Sequence, residues 1–238
     1  MTDPPAWQWD ESKQVGADYN DPAKILHYER TMVRLRAAGA LPGIVESLRL
    51  GPEHTLIDMG CGPGLFAVYA ARLCRRVHAV DVSQAMLDRA RRRAGEAGVT
   101  NIEFHCDGFL TYVHSDEPAD AAVCMTVLHH LPDFWKVVGL RRLASMLKPG
   151  ARFYLHDVVF AFEPDKYATR FDSMVNYFEE NTDPEMARDA EGHLREEFST
   201  FDWILRGIVE RAGFRVLSAD TDEMLAKYVC ERAGGSLF

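Results

Sequence analysis

At 238 residues, with 47% hydrophobic and 26% charged side chains, the chain has the make-up of a soluble globular protein of one large domain or of one domain with an embellishment. A net charge of −9 lacks the basic footprint of a nucleic-acid binder, and no apolar run approaches a membrane span. The five cysteines (Cys61, Cys74, Cys106, Cys124, Cys230) are never spaced C-x-x-C and no secretory pattern opens the chain, so reduced thiols in a cytoplasmic protein are expected.

Residues 1–20 are polar and aromatic; Trp7, Trp9 and Tyr19 either dock this leader on the body or help close a site. Pro22 to Leu50 reads as helical, broken near Gly39 to Gly43, with Arg30, Arg34 and Arg36 on a solvated side. A regular alternation follows. Strand Thr55–Asp58 feeds a glycine turn and a helix from Leu65 to Cys74, and strand Val77–Asp81 feeds a helix that Ser83 can cap. That helix places Met86, Leu87, Ala90 and Ala94 inward, with Arg89, Arg91, Arg92 and Arg93 on a solvated face. Strands Asn101–Cys106 and Ala119–Thr126 come next. A helix over Asp133–Leu147 would turn Phe134, Val137, Val138, Leu140, Ala144 and Leu147 inward, before strand Ala151–Val159. Such strand–helix units predict a parallel sheet covered on both faces.

Residues 161–200 break the rhythm with eleven acidic side chains against four basic ones. Their apolar positions Phe171, Met174, Val175, Tyr177 and Phe178 predict helices laid over something, a lid inserted after the fifth strand. Ser199 with Asp202 resembles a capping box opening a helix stopped by Gly213, and Phe214–Ala219 and Ala226–Glu231 read as closing strands. The expected division is a leader with helices (1–50), a nucleotide-binding core (51–160), the acidic lid (161–200) and the closing elements (201–238).

Ligands of open parallel sheets lie beyond the carboxyl ends of the strands, which selects the residues that follow each strand. After the first come Asp58 and the loop Gly60-Cys61-Gly62-Pro63-Gly64; after the second, Asp81 with Val82 and Met86. After the third come Asp107, Gly108 and Phe109; after the fourth, Met125 and then His129 and His130. A carboxylate beside the glycine loop disfavours a diphosphate and favours a sulfonium or ammonium, so S-adenosylmethionine is the expected cofactor. Asp81 can accept two ribose hydroxyls, and Asp107 an exocyclic adenine amine.

These stretches carry a resemblance. Leu-Ile-Asp-Met-Gly-Cys-Gly-Pro-Gly, Val-Asp-Val-Ser-Gln-Ala-Met-Leu, Leu-His-His-Leu-Pro-Asp and Leu-Lys-Pro-Gly are similar to the motifs of class I S-adenosylmethionine-dependent methyltransferases, in the group that includes ubiquinone/menaquinone C-methyltransferases. The resemblance implies a Rossmann-like, doubly wound α/β fold of seven mostly parallel strands, the last antiparallel. It also implies that the first loop holds the methionine moiety, that Val82 and Met86 flank adenine, and that S-adenosylhomocysteine is the product. The acceptor is expected to be a small or medium organic molecule; the methylated atom and the oligomeric state stay open.

Methyl transfer needs an acceptor held in line, and a base only for an acceptor that must lose a proton. His129 and His130 are the candidates, against a reading in which both merely shape the turn. His156-Asp157 is a second pair, more simply read as a loop cap. The spacing is unlike a dedicated ligand set, so no metal is expected. Two other functions compete: a non-catalytic module that binds S-adenosylmethionine, and a nicotinamide-dependent oxidoreductase, against which the glycine spacing, Pro63 and Asp58 count.

Overall fold

Strand β1 (Thr55–Met59) is buried at every position, as a strand with another on each side and helices on both faces must be. In the computed structural model, which describes residues 5–13, 15–16, 18–21, 23–27, 29 and 40–235, β1 lies between β2 (Arg76–Val80) and β4 (Ala119–Met125). The sheet continues to β3 (Ile102–His105) on one side and to β5 (Leu147–Phe160), β8 (Leu225–Arg232) and β7 (Phe214–Thr221) on the other, in the order 3-2-1-4-5-8-7. Strands β1 to β5 are parallel, and β8 runs antiparallel to both neighbours. The seven-stranded, doubly wound architecture expected from the sequence is therefore present. An additional two-residue strand, β6 (Thr200–Phe201), pairs with the far end of β5.

Alternation along β1 divides the core. Leu56 packs with Phe66, Ala67, Ala70 and Leu87 on one face, under α2 (Leu65–Ala71) and α3 (Gln84–Ala97). Ile57 and Met59 pack with Leu140, Leu143, Phe153, Leu205 and Val209 on the other, under α4 (Asp133–Ser145) and α7 (Asp202–Arg211). Helix α1 (Ala40–Leu48) joins the first face through Ile44 and Leu48. Helices α5 (Tyr167–Asn181) and α6 (Pro184–Glu196) fill the acidic segment and stand between β5 and β6 in the chain.

Several local expectations change. Helix α1 runs through Gly43, where a break was expected; residues 23–27 are helical, and Arg30, Arg34 and Arg36 lie outside the described residues. Phe134 is 70% exposed, because the buried stripe of α4 runs through Lys136, Leu140, Leu143 and Ala144. Lys136 is tolerated there because its ammonium donates to Asp133 (2.7 Å) and to the Phe198 carbonyl. Arg89 and Arg93 are not solvated: both grip the buried Glu29 carboxylate. Ser199 caps no helix, since its hydroxyl meets His193 (2.9 Å) and α7 starts after Phe201 without a side-chain cap. Ser83 does cap α3, accepting from the Met86 amide at 3.2 Å.

Gly64 is required for packing. It sits at φ 79°, and a Cβ there would lie 2.7 Å from the Ala90 Cβ and 3.0 Å from its Cα, where α2 crosses α3. Strain in the left-handed region and overpacking each cost about 1–2 kcal/mol or more. Gly64→Ala should therefore lose about 2–4 kcal/mol in urea unfolding; a change below about 0.5 kcal/mol would remove the crossing as the cause.

Candidate functional site

The carboxyl ends of β1, β2 and β3 are tied to one another by the backbone. The Gly60 and Cys61 amides both donate to the Val80 carbonyl (2.8 and 2.9 Å), and the Asp81 amide donates to that of His105 (3.1 Å). The Asp81 carboxylate then closes the loop: Oδ2 accepts from the Gly62 amide at 2.8 Å and Oδ1 from the Ser83 amide at 2.9 Å. Burial pushes its pKa up to about 6 against the pull of those two amides.

A cavity of about 810 Å³ opens over these strand ends. Of the residues selected from the sequence, Gly60, Gly62, Asp81, Val82, Met86, Asp107, Gly108, Phe109, Met125, His129 and His130 line it. Asp58, Cys61 and Gly64 do not. Asp58 is 1% exposed, beneath the loop and not at its mouth, and Cys61 is buried, its thiol pushed well up by burial and by Asp81 and Asp58. The glycines have separate duties. A Cβ at Gly60 would strike Val127, whereas one at Gly62, at φ 52°, would meet nothing within 4 Å on the cavity side. A nucleoside linked to a sulfonium fits such a wall. Gly62 leaves room at the loop, Asp81 offers acceptor oxygens, Val82, Met86 and Phe109 offer apolar surface, and the loop from Met59 to Gly64 carries no cation for a diphosphate.

The leader forms part of this wall. Glu11 accepts from the Leu110 amide (2.9 Å) and the Thr111 hydroxyl (2.8 Å), and the Tyr19 carbonyl accepts from Ser83 (2.7 Å). Trp7 stacks on Trp135 with ring centroids 6.4 Å apart, and Trp9 meets Phe198 edge-on at 5.4 Å. So the leader both docks and lines the cavity, through Glu11, Lys13, Val15 and Tyr19. From the acidic segment, Met174, Tyr177 and Phe178 line the cavity, whereas Phe171 packs against Phe160 and Phe162. Lys24 ties the two covers together by donating to Asp189 at 2.6 Å.

At the end of β4 the chain turns through Thr126, a β-branched residue at φ 56°. Such a backbone is rare and collects at functional sites. It delivers a single 3-10 turn, Leu128–His130, whose two histidines meet different partners. His129 Nδ1 bonds Asp157, inside the long strand β5, and its Nε2 lies 3.2 Å from Glu197, just after α6. Desolvation opposes its charge, yet the two carboxylates override it and hold His129 up at about 9. His193 also bonds Glu197, and both carboxyl groups are held below their usual range by the imidazolium. His130, whose ring centroid is 4.4 Å from that of His129, is pushed down to about 4, first by burial and then by the neighbouring charge. One histidine is thus an imidazolium at neutral pH and the other a neutral imidazole.

Residues 56–150 match the methyltransferase-domain family. Among curated proteins the chain is 31% identical over 158 residues to 27-O-demethylrifamycin SV methyltransferase of Amycolatopsis mediterranei, covering 66% of this chain and 54% of that one. It is 30% identical over 146 residues to ubiquinone biosynthesis O-methyltransferase of Xanthomonas euvesicatoria, covering 58% and 54%. The chain thus spans about half the length of the curated relatives it matches. Among solved structures, a SAM-dependent methyltransferase from Aquifex aeolicus superimposes with a TM-score of 0.62 at 18% identity, over 90% of this chain and 99% of that one. Among the described residues no helix is long and apolar enough to cross a membrane. Residues 56–150 thus belong to the methyltransferase-domain family, on a fold shared with the S-adenosylmethionine-dependent methyltransferase from Aquifex aeolicus.

Proposed function

We propose that the chain methylates a hydroxyl group of a small or medium organic acceptor enclosed between the leader and helices α5 and α6, which act as its lid. The observation that carries this reading is one continuous cavity. It joins the glycine loop and Asp81 to the apolar side chains Met174, Tyr177 and Phe178, with the two unlike histidines on its wall. A hydroxyl acceptor is also what the names of both curated relatives describe for those proteins. The non-catalytic and nicotinamide readings draw no support from these matches.

When bound, the cofactor supplies an electrophilic methyl group on a positively charged sulfur. The chain's own part is position and proton handling. Asp81 holds the ribose, Val82 and Met86 cover the base, and Asp107 takes its amine. The cavity closed by the lid excludes water from the reacting atoms. His130 is neutral and 30% exposed, so its ring can take the hydroxyl proton as the oxygen is alkylated. His129 is charged already, so it acts as a positioning residue: through Glu197 and the Phe198 amide, which donates to its carbonyl at 2.8 Å, it fixes the end of the lid.

The test is methyl transfer to hydroxylated acceptors selected by their thermal stabilisation of the protein with S-adenosylhomocysteine. Mass spectrometry should show the gain of one methylene unit at oxygen. His130→Gln should lower kcat by about a hundredfold or more while leaving the affinity for S-adenosylhomocysteine unchanged. Equal loss with an acceptor that carries no exchangeable proton would take the base role away from His130. Transfer to nitrogen or carbon alone would overturn the hydroxyl assignment.

A further inference from the structure

A second set of ligand-type side chains stands at the β2–β3 edge of the sheet, outside the cavity. His78 is in register with Glu103, and His105 follows two residues later on β3, so strand alternation projects all three from one face. His78 Nδ1 lies 3.2 Å from His105 Nε2 and 3.7 Å from Glu103 Oε2. Among the described residues its other nitrogen, Nε2, is buried without a hydrogen bond, and the Asp116 carboxylate stands 3.4 Å from it. Arg76 holds Glu103 Oε1 (3.0 Å) and Asp116 Oδ2 (2.9 Å), which leaves Glu103 Oε2 toward the imidazoles. His114 packs edge-on against His78, but its nitrogens are engaged by the Tyr112 hydroxyl and the Glu117 carbonyl, both at 3.0 Å.

We infer that His78, Glu103 and His105 form a site for a divalent transition-metal ion of the zinc class, with Asp116 supporting His78 from behind. Ligand atoms about 2.0–2.1 Å from a tetrahedral zinc are about 3.3 Å from one another. The observed separations of 3.2 and 3.7 Å are close to that edge before any ligand moves. Two imidazoles and one carboxylate are a borderline nitrogen–oxygen set, suited to zinc or cobalt and poor for calcium or magnesium, which require cages of oxygen. A small turn of Asp116 would let it accept the proton on His78 Nε2, fixing the tautomer that presents Nδ1 to the ion, the usual carboxylate–histidine–metal arrangement. Without an ion, the His78–His105 contact is a hydrogen bond carrying one proton, which moves to the other nitrogen of the donor ring when the metal enters. Glu103 and Asp116 are 46% and 41% exposed, so the ion can enter from the edge. The sequence does not display this site as a ligand motif, because the register of two strands and not the spacing along one assembles it.

Bound metal would clasp the edge strand to its neighbour two residues before Asp107, on the cavity wall. The test uses the full chain stripped with a chelator and titrated with Co²⁺. One equivalent should produce the intense visible bands of four-coordinate cobalt, which Zn²⁺ then abolishes. Glu103→Gln and His105→Asn should each weaken Co²⁺ binding by about a hundredfold, and Asp116→Asn by about tenfold. Circular dichroism and binding of S-adenosylhomocysteine establish that each metal-free variant is folded. His129, His130 and Glu197 also lie within ligand reach of one another, so Glu197→Gln is the control and should retain the cobalt spectrum. Absent or non-stoichiometric binding would overturn the inference. So would a cobalt spectrum lost in Glu197→Gln but kept in Glu103→Gln.

Discussion

Replacing Asp81 by alanine is expected to weaken S-adenosylhomocysteine binding by about two to four orders of magnitude. In the proposed pose the carboxylate accepts both ribose hydroxyls, and a hydrogen bond to a charged group contributes about 1.5–3 kcal/mol, so two contribute about 3–6 kcal/mol. Asp81→Asn should not rescue binding. Both oxygens already accept backbone N–H groups, from Ser83 and from Gly62, so an amide must turn its NH₂ toward one of those donors. The raised pKa adds a pH signature. Burial sets Asp81 at about 6 in the cofactor-free protein, and hydroxyl donors favour the ionised form, so affinity should be flat above pH 6 and fall below it. The sign for folding runs the other way. A carboxyl raised above its unfolded value stabilises the fold only at low pH, and that contribution is lost as pH rises through about 6. The thermal shift produced by S-adenosylhomocysteine should therefore be larger at pH 7 than at pH 5. Isothermal titration calorimetry measures the affinities. Unchanged binding in Asp81→Ala, or wild-type affinity indifferent to pH between 5 and 7, would sink the ribose role.

Asp81 could be found from sequence because its neighbours in space are also its neighbours in a repeating pattern. A strand, a turn and a capped helix put it, Val82 and Met86 at a strand end with no long-range information, and the same rule found Asp107 and Met125. The glycines were legible as a turn but not by duty: only their packing shows Gly64 against Ala90, Gly60 against Val127 and Gly62 open. The partners of His129 were less visible. Asp157 is 28 residues away and is the weaker candidate by sequence, while nothing local sets Glu197 apart from the other ten carboxylates of the acidic segment. Its burial follows from the path of the lid over the sheet, and no local signal reports that. Lys136 and Phe134 show the same limit, since hydrophobicity alone placed the phenylalanine inward while the helical stripe and two oxygen acceptors admitted the lysine. Glu11 carries no periodic cue either, and only the docked leader brings it to Leu110 and Thr111.

The buried charge set around His129 leads to the other large expected effect. Among the described residues two carboxylates flank the imidazolium, whose side chain is 7% exposed; Glu197→Gln removes one of them and leaves Asp157 in hydrogen-bond contact with the ring. Breaking one partner of a buried pair costs about 3–5 kcal/mol, because the remaining charge stays desolvated. The residual contact with Asp157 puts the expected loss at the lower end, about 3 kcal/mol. The pH profile separates this cause from a simple packing defect. His129 is held at about 9, above its unfolded value, so its charge contributes stability that is complete below about pH 6.5 and is lost as pH rises through 9. Without Glu197 the folded pKa falls, so less is gained in the first place and the decline ends at lower pH. Wild type and variant should therefore differ most near neutrality and converge toward pH 10. For turnover, loosening the lid end should raise KM for the acceptor more than it lowers kcat, the reverse of His130→Gln. A stability difference independent of pH from 6 to 10, measured by urea unfolding, would show that Glu197 acts by shape. The ion-pair account of lid positioning would then fail, while the base assigned to His130 would stand on its own test.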